Sequence, residues 1–575
     1  MVNTILNKIL IIFKTQWKII FIVALVLIAS SSIKLFAATQ LGYLGDEPDD
    51  FANLNLDIEK TRNFYNGIIS AEQSRLSHFV TAPIVYFAGN KYLFLSRVVS
   101  ILAFNAFLVT VYLLLRLHLN RTRSLFGLIT IASSCYLFSY SFLAMTSSGS
   151  VYLFLSTLSV YVYLRQIKNG VSKKSTHIAL LGVIFGLAMS AKLFGILLLA
   201  ATAFYDFMLQ KQWKNPLSKS DITKVVQSHQ FKAVFLFYFF WICINIVPIS
   251  SALKLSMFVV LIPLIIGYFI YSAALERYSL NSFVRWLHIA IVAGMILIVT
   301  SPIYLNVKNV VKIFNWSDEW NSVNIIINPS IYDPFTTISV KYGLVAGILL
   351  IVSILFLAYK KRLSQLFSDY GLIFIILGVF LLIFMVVNNY FAWYPLVIFW
   401  ILYIPFCYVF PEKITLNPKI ITLALLLLLI PANEVYRYIK LFPNGQTDGA
   451  QYGEQYVGWN KPGFITFEAL PLLKEYVSNS GYFPSELTVV DCALIPDHLE
   501  RYNRYVIETI NYYLQREEVY NFRCSENKVK SDYKYVMISN YTSKSFTSDL
   551  MVNYKVDKQF YVNSVNVATI WVRNE

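Results

Sequence analysis

Long apolar segments recur from near the amino terminus to about residue 433 and alternate with short polar stretches. Many of them hold about 17–25 residues, the length that an α-helix needs to cross a lipid bilayer. The pattern therefore predicts about thirteen membrane-spanning helices. By residue number they are 17–38, 92–115, 124–145, 150–165, 177–190, 193–209, 233–250, 252–273, 286–304, 337–359, 370–388, 395–410 and 419–433.

The cations between these segments predict their orientation. Cytoplasmic connections of membrane proteins are enriched in Lys and Arg, and every second connection of this chain is basic. The short connections on the other side, near 146–149, 191–192 and 388–394, carry a single cation, Lys192. The amino terminus is therefore predicted to be cytoplasmic, and an odd number of spans places the carboxyl terminus outside. The predicted cytoplasmic cations are Arg116, Arg121, Arg123, Arg165, Lys168, Lys173, Lys174, Lys211, Lys214, Lys219, Lys224, Lys232, Arg277, Arg285, Lys360, Lys361, Arg362, Lys413 and Lys419.

The region 434–575 lacks long apolar runs and shows shorter patterns. Strands are predicted at 487–490, 535–538 and 567–572, and helices at 467–477 and 499–514. This indicates a small α/β or α+β domain outside the cytoplasm. The chain thus divides into a membrane domain, 1–433, and an extracytoplasmic domain, 434–575. The membrane domain carries two long outer loops, 39–91 and 305–336.

Composition supports the membrane assignment. Hydrophobic residues make up 57% of the 575 residues and charged residues 14%, whereas a soluble domain has roughly a quarter charged residues. The net charge of +16 could suggest nucleic acid. Basic cytoplasmic loops that face anionic lipid head groups explain it more simply, so we expect membrane lipids and no nucleic acid as partners. The predicted location is a multi-pass protein of the plasma or inner membrane.

The five cysteines show no metal-binding spacing. Three lie in apolar runs, which suits small packing residues. Cys492 and Cys524 lie in the extracytoplasmic region, where a disulfide could form. Two cysteines alone leave their pairing open.

An acidic cluster, Asp46, Glu47, Asp49 and Asp50, follows the first predicted span closely. It has two interpretations. It is either a solvated cap on a membrane helix or a source of catalytic or metal-binding carboxylates at the membrane boundary. Its position on the same predicted face as Lys192 favours the second interpretation for Asp46 and Glu47.

Lys192 lies between two short apolar runs, where an ammonium group is costly unless it reaches water or meets an anion. A lipid-linked phosphate at the membrane surface is such an anion; a lysine that only reaches toward water is the alternative. Further polar residues are predicted on the same outer face: Glu72, Arg75, His78, Arg97, Tyr394, Arg437 and Lys440.

Five motifs in order resemble one family across most of the chain. They are Asp46-Glu47, Leu95-Ser96-Arg97-Val98-Val99-Ser100, the hairpin Gly182 to Lys192 with its GxxxGLAxSAK pattern, Phe391-Ala392-Trp393-Tyr394-Pro395, and the stretch from Tyr438 to Trp459. Together they resemble the GT-C superfamily of membrane glycosyltransferases, of the protein-O-mannosyltransferase-like and aminoarabinose-transferase-like kind. The resemblance implies a GT-C fold and a dolichyl- or polyprenyl-phosphate sugar as donor.

The resemblance also implies roles for individual residues. Asp46 or Glu47 would remove the proton of the acceptor. The donor phosphate and substrate would be bound by Lys192, Arg437, Arg75, His78 and Tyr394. If a metal is used, Asp46, Glu47 and Glu72 would hold it, and their oxygen ligands favour Mg²⁺ or Mn²⁺. The acceptor would be a protein, a lipid or a glycan of the cell envelope.

This chain departs from the family pattern at several positions. The turn at 145–150 has no carboxylate where many relatives carry one, and the later glycine pair is degraded at 444–449. Other classes therefore stay open: a transporter or flippase of lipid-linked precursors, a polysaccharide polymerase or ligase, and a non-enzymatic receptor. A transporter would be expected to show charges at the membrane midplane and internal repeats.

Overall fold

The computed structural model describes residues 2–40, 76, 80, 83–84, 87, 92–134, 137–138, 141, 149–170, 175–210, 219–247, 251–275, 282–301, 304, 306–307, 344–386, 399–410, 426–433, 487–490, 534–539, 552–562 and 565–574. The helices are α1 Val2–Gln40, α2 Tyr92–Leu115, α3 Arg121–Ala132, α4 Ser150–Lys168, α5 Ser175–Ala191, α6 Gly195–Gln210, α7 Lys219–Gln227, α8 His229–Ile246, α9 Ser251–Leu275, α10 Ser282–Thr300, α11 Leu344–Tyr359, α12 Leu363–Val386 and α13 Ile404–Val409, which follows a 3₁₀ turn, Trp400–Tyr403. A further helical stretch covers 426–433.

The apolar runs form helices, as predicted. Within the described part of the chain, five helices are long and apolar enough to cross a membrane: Ile19–Thr39, Phe94–Leu115, His229–Ile246, Phe283–Thr300 and Leu363–Leu382. Shorter apolar helices include Thr176–Ala191 and Gly195–Met208. The chain is thus a helical integral membrane protein, while the total of thirteen spans stays a prediction. The short helix α7 was not predicted, because its nine residues carry no long apolar run.

Contacts between helices define two ends of the bundle. The basic end is where α2 ends and α3 begins. There Lys168 Nζ donates to the Leu117 carbonyl, and Gln166 Nε2 donates to the His177 carbonyl at 3.3 Å. The Lys192 end is the opposite one, where α5 ends. The Arg97 guanidinium donates to the Ala38 carbonyl at 3.2 Å, which places the end of α1 and the start of α2 there.

The cations predicted to be cytoplasmic gather at the basic end wherever the structure describes them. Arg123 Nε donates to the Phe410 carbonyl at 2.6 Å, and Arg116 donates to the Leu119 carbonyl at 2.5 Å. These bonds satisfy carbonyl groups that helix ends leave open. The grouping agrees with the basic connections of the sequence, and the assignment of this end to the cytoplasm stays a prediction.

Helices α5 and α10 run parallel and pack closely, because two glycines of α5 face α10. A Cβ on Gly182 would lie 2.6 Å from Val292 Cγ1, and a Cβ on Gly186 would lie 2.6 Å from Ile296 Cβ and 2.7 Å from the Ala293 carbonyl oxygen. Small residues four apart allow such an approach of two membrane helices. The glycine pair of the GxxxG motif therefore fixes the position of α5.

A buried ion pair joins three helices near the basic end. The Asp206 carboxylate of α6 accepts from the Tyr163 hydroxyl of α4 at 2.7 Å and from Trp286 Nε1 of α10 at 2.8 Å. It also pairs with Arg285 of α10, and both charged side chains are almost wholly buried. Asp206 is thus a structural residue that joins α4, α6 and α10.

The described strands form one mixed sheet. Its strands are β1 Leu487–Val490, β2 Tyr535–Ser539, β3 Tyr554–Val562 and β4 Val565–Arg573, in the order β1-β2-β4-β3. β1 and β2 are parallel, and β4 pairs antiparallel with both β2 and β3. The three predicted strands are confirmed. β3 was missed because its middle, Lys555 to Lys558, carries three charges on an exposed strand. The predicted helices at 467–477 and 499–514 lie outside the described residues, and the extracytoplasmic domain stays a prediction.

A histidine–carboxylate pair at the basic end makes stability depend on pH. His118 Nδ1 lies 3.3 Å from Asp369 Oδ1 of α12, and the Tyr408 hydroxyl of α13 donates to the same carboxylate at 2.6 Å. Burial lowers the pKa of His118 below its ordinary value of 6.5, and Asp369 offsets part of that effect while Lys168 adds to it. The unfolded chain therefore binds a proton more readily than the folded one.

We expect the thermal unfolding midpoint in detergent to fall as the pH is lowered through about 6.5 toward the folded pKa of His118, and to be unaffected by this group at higher pH. His118→Gln should flatten this part of the profile. The matched control, His229→Gln, removes an exposed imidazole of α8. Equal flattening by both variants would contradict the assignment to His118.

Candidate functional site

Lys192 is the one residue of the predicted site that the structure describes. It lies at the end of the bundle where α1 also ends, which agrees with the predicted grouping of the outer residues. The other predicted residues lie outside the described part of the chain: Asp46, Glu47, Glu72, Arg75, His78, Tyr394 and Arg437. Their roles therefore stay proposals.

A tight turn between α5 and α6 positions Lys192. Its backbone N–H donates to the Ala188 carbonyl at 3.0 Å, and its own carbonyl accepts from Gly195 at 2.9 Å. A Cβ on residue 195 would lie only 2.6 Å from the Met189 nitrogen, so only glycine allows this close approach. The Lys192 side chain is 8% exposed, and its ammonium lies 5.4 Å from the centre of the Phe194 ring. The turn thus holds a buried cation in one place.

Hydroxyl groups tie the end of α5 to the end of α10 beside this turn. Ser190 and Ser301 share a hydrogen bond of 2.6 Å, and the Thr300 hydroxyl lies 2.8 Å from Ser190 Oγ. Ser190 and Ser301 are buried. Ser190 continues the face of α5 that carries Gly182 and Gly186, so the same helix contact runs up to Lys192.

Arg97 lies at the same end, at the start of α2. It is fully buried and donates to the Ala38 carbonyl near the end of α1. A guanidinium in this position satisfies a helix-end carbonyl, and the negative end of the α1 dipole stabilises its charge. Arg97 therefore holds together the two helices that flank the loop with Asp46 and Glu47.

Lys34 is a third buried cation at this end, and sequence reasoning missed it. It lies six residues before the end of α1, or about 9 Å along the helix axis. Its side chain is fully buried, with Nζ 3.7 Å from the centre of the Phe104 ring and 4.8 Å from that of Phe138. A lysine inside an otherwise apolar run was the available signal.

The charges of the described bundle are distributed unevenly. The Lys192 end holds three buried cations: Lys34, Arg97 and Lys192. In the described helices of 2–433 the carboxylates are Asp206, Asp221 and Asp369, and all of these belong to helix segments at the basic end. The Lys192 end is therefore electropositive over the part of the chain that the structure describes, and it favours an anionic ligand.

The described residues contain no group of three His, Cys, Asp or Glu side chains that could hold a metal ion. The three carboxylates suggested as metal ligands, Asp46, Glu47 and Glu72, lie outside these residues. The geometry of the described site therefore supplies cations for an anion rather than ligands for a metal.

Comparisons with known proteins return matches among solved structures alone. No family model matches the chain, and no curated protein matches it. Among solved structures, the chain is similar to the crystal structure of ArnT from Cupriavidus metallidurans bound to undecaprenyl phosphate. The two are 11% identical with a TM-score of 0.35, and the match covers 96% of this chain and 98% of that one. The candidate site therefore rests on the residues of this chain.

Proposed function

We propose that this chain is a membrane glycosyltransferase of the GT-C kind. It moves a sugar from a polyprenyl-phosphate donor to an acceptor at the Lys192 end of the bundle, on the outer face of the membrane. The observation that carries the proposal is the buried Lys192, which a tight turn holds at the end where α1 leads into the acidic first loop. The order of the five sequence motifs supports the sugar donor.

The proposed reaction needs a base and a cation. Asp46 or Glu47 takes the proton of an acceptor hydroxyl or amine, whose heteroatom attacks the anomeric carbon in line, with inversion. The bond from that carbon to the phosphate oxygen breaks, and the polyprenyl phosphate leaves with the electron pair. General-base catalysis of this kind accelerates a reaction by a factor of about 10²–10⁴. Asp46 follows the last residue of α1 by six positions, and six residues span at most about 20 Å.

Lys192 offsets the negative charge that builds on the leaving phosphate. An ammonium in a water-poor site does this more effectively than one in water. Arg437, Arg75, His78 and Tyr394 are proposed to hold the phosphate and the sugar. No step of the proposed reaction requires a metal. If Mg²⁺ or Mn²⁺ takes part, Asp46, Glu47 and Glu72 are the proposed ligands, and a chelator would then abolish transfer.

The decisive experiment measures sugar transfer by the purified full-length protein. It is given a radiolabelled polyprenyl-phosphate sugar and a membrane extract that contains the acceptors. We expect transfer by the wild type. The double variant Asp46→Asn with Glu47→Gln should lose about 10²–10⁴ of the rate because the base is gone. Lys192→Met should also lose most activity, because the leaving phosphate then lacks its cation.

Lys232→Met is the matched control for Lys192→Met. Lys232 is an exposed lysine of α8 near the basic end, so its loss should leave transfer unchanged. Full transfer by the double carboxylate variant would refute the assigned base. If no donor supports transfer but the protein moves labelled lipid across vesicle membranes, the transporter interpretation replaces this one.

A further inference from the structure

The side chain of Lys34 is fully buried inside the bundle. Within the described structure, Lys34 Nζ makes no hydrogen bond, and its neighbours at 3.7 and 4.8 Å are the ring centres of Phe104 and Phe138. Ser30, one helical turn earlier on the same face of α1, also has an unpaired hydroxyl. Two aromatic faces offset only part of the cost of burying an ammonium, so an anion bound beside Lys34 would stabilise it further.

One more unpaired hydroxyl lies at a similar depth. Contacts of Arg97 with Ala38 and of Asn105 with Ser31 align α1 and α2 antiparallel, so Lys34 lies beside the α2 segment between Arg97 and Phe104.

This hydroxyl belongs to Tyr152 of α4, and it is buried without a partner among the described residues. Lys168 contacts Leu117 at the basic end, and α2 and α4 run parallel from there. Tyr152 precedes Lys168 by 16 residues, and Ile101 precedes Leu117 by the same number, so Tyr152 and Ile101 lie at the same level of the two helices. Tyr152 therefore lies opposite the same segment of α2 as Lys34.

Buried polar groups in proteins are normally hydrogen-bonded, and unpaired ones need an explanation. Lys34, Ser30 and Tyr152 can each donate a hydrogen bond, and the described residues supply no carboxylate at this end. We propose that Lys34 is the anchor of an internal oxyanion-binding site, with Ser30 and Tyr152 as further donors. Its ligand is a phosphate or carboxylate group.

This site is separate from Lys192 and does not depend on sugar transfer. Lys192 directly follows the last residue of α5, whereas Lys34 lies about one and a half turns inside α1. The oxyanion belongs either to a soluble acid or to a lipid-linked phosphate. Both present the same chemistry to an ammonium and two hydroxyls, and the experiment separates them.

The test measures the thermal unfolding midpoint of the full-length protein in detergent, at constant ionic strength. One series adds inorganic phosphate, and the other adds a long-chain prenyl monophosphate in mixed micelles. We expect a saturable rise of the midpoint in at least one series. Lys34→Met should weaken the apparent affinity at least tenfold and leave the ligand-free midpoint equal or higher, because an unpaired buried amine is removed.

Two further variants make the result specific. Tyr152→Phe removes only one donor and should weaken the affinity several-fold without changing the ligand-free midpoint. Lys232→Met, the exposed control, should leave the affinity unchanged. If inorganic phosphate raises the unfolding midpoint, a soluble acid is sufficient as ligand. If only prenyl phosphate raises it, the ligand is a lipid-linked phosphate.

The site is rejected if neither series shows a rise that depends on Lys34 and Tyr152. Lys192→Met distinguishes this failure from a failure of the proposed function. If it abolishes sugar transfer while the Lys34-dependent rise persists, both proposals hold. If transfer depends on Lys192 and no rise depends on Lys34, only the internal site is wrong.

Discussion

Asp206→Asn should unfold or strongly destabilise the protein. The substitution keeps the size of the side chain and removes its charge, so the buried Arg285 guanidinium loses its carboxylate. Breaking one partner of a buried ion pair costs roughly 3–5 kcal/mol, a large share of the stability of most proteins. We expect a marked fall in the yield of monodisperse protein in detergent and in its thermal unfolding midpoint.

A double variant tests whether stability requires the ion pair itself or only the absence of an unpaired buried charge. Asp206→Leu with Arg285→Met removes both charges and replaces them with apolar side chains, so it should recover most of the lost stability. Asp557→Asn, at an exposed position of β3, is the control and should change little. If Asp206→Asn unfolds at the wild-type temperature, the pair does not hold α4, α6 and α10 together.

Gly186→Ala should separate α5 from α10. The added methyl group would lie 2.6 Å from Ile296 Cβ and 2.7 Å from the Ala293 carbonyl oxygen, and a backbone atom cannot move aside alone. Overpacking of this kind costs about 1–3 kcal/mol. Because the same contact continues through Ser190 to the Lys192 turn, we expect sugar transfer to fall together with the unfolding midpoint.

The matched control is Gly378→Ala in α12. It adds the same methyl group to a membrane helix, where, apart from the helix's own backbone, no atom of the described residues lies within 4 Å of the new position. Alanine is favoured over glycine inside helices by about 0.5–1 kcal/mol, so this variant should be as stable as the wild type or more so. If both variants behave alike, close packing of α5 on α10 is not required.

Helices were predictable from the sequence because a bilayer imposes length and apolarity on any span. The runs that became α2, α8 and α10 are examples, and their predicted and observed bounds differ by a few residues. Boundaries were less predictable where a run continued past a helix end, as at α3, which ends at Ala132 whereas the run continues to 145. Apolar composition alone does not indicate the residue at which a helix ends.

The candidate site was predictable in part. Lys192 was identified because a cation between two apolar runs is costly, and the GxxxG pattern before it indicated a tight helix contact. Lys34 was missed, because a single lysine within an apolar run does not change the assignment of a span. Its aromatic neighbours, Phe104 and Phe138, lie far from it in the sequence.

The sequence by itself determined that this is a helical membrane protein, which connections are basic, and that Lys192 follows a small-residue helix. These features follow from local composition and spacing. Only the tertiary structure paired Asp206 with Arg285, set Gly186 against Ala293, and enclosed Lys34 between two rings. Such contacts join residues about 70 or more positions apart, and packing of whole helices decides which of many possible neighbours meet.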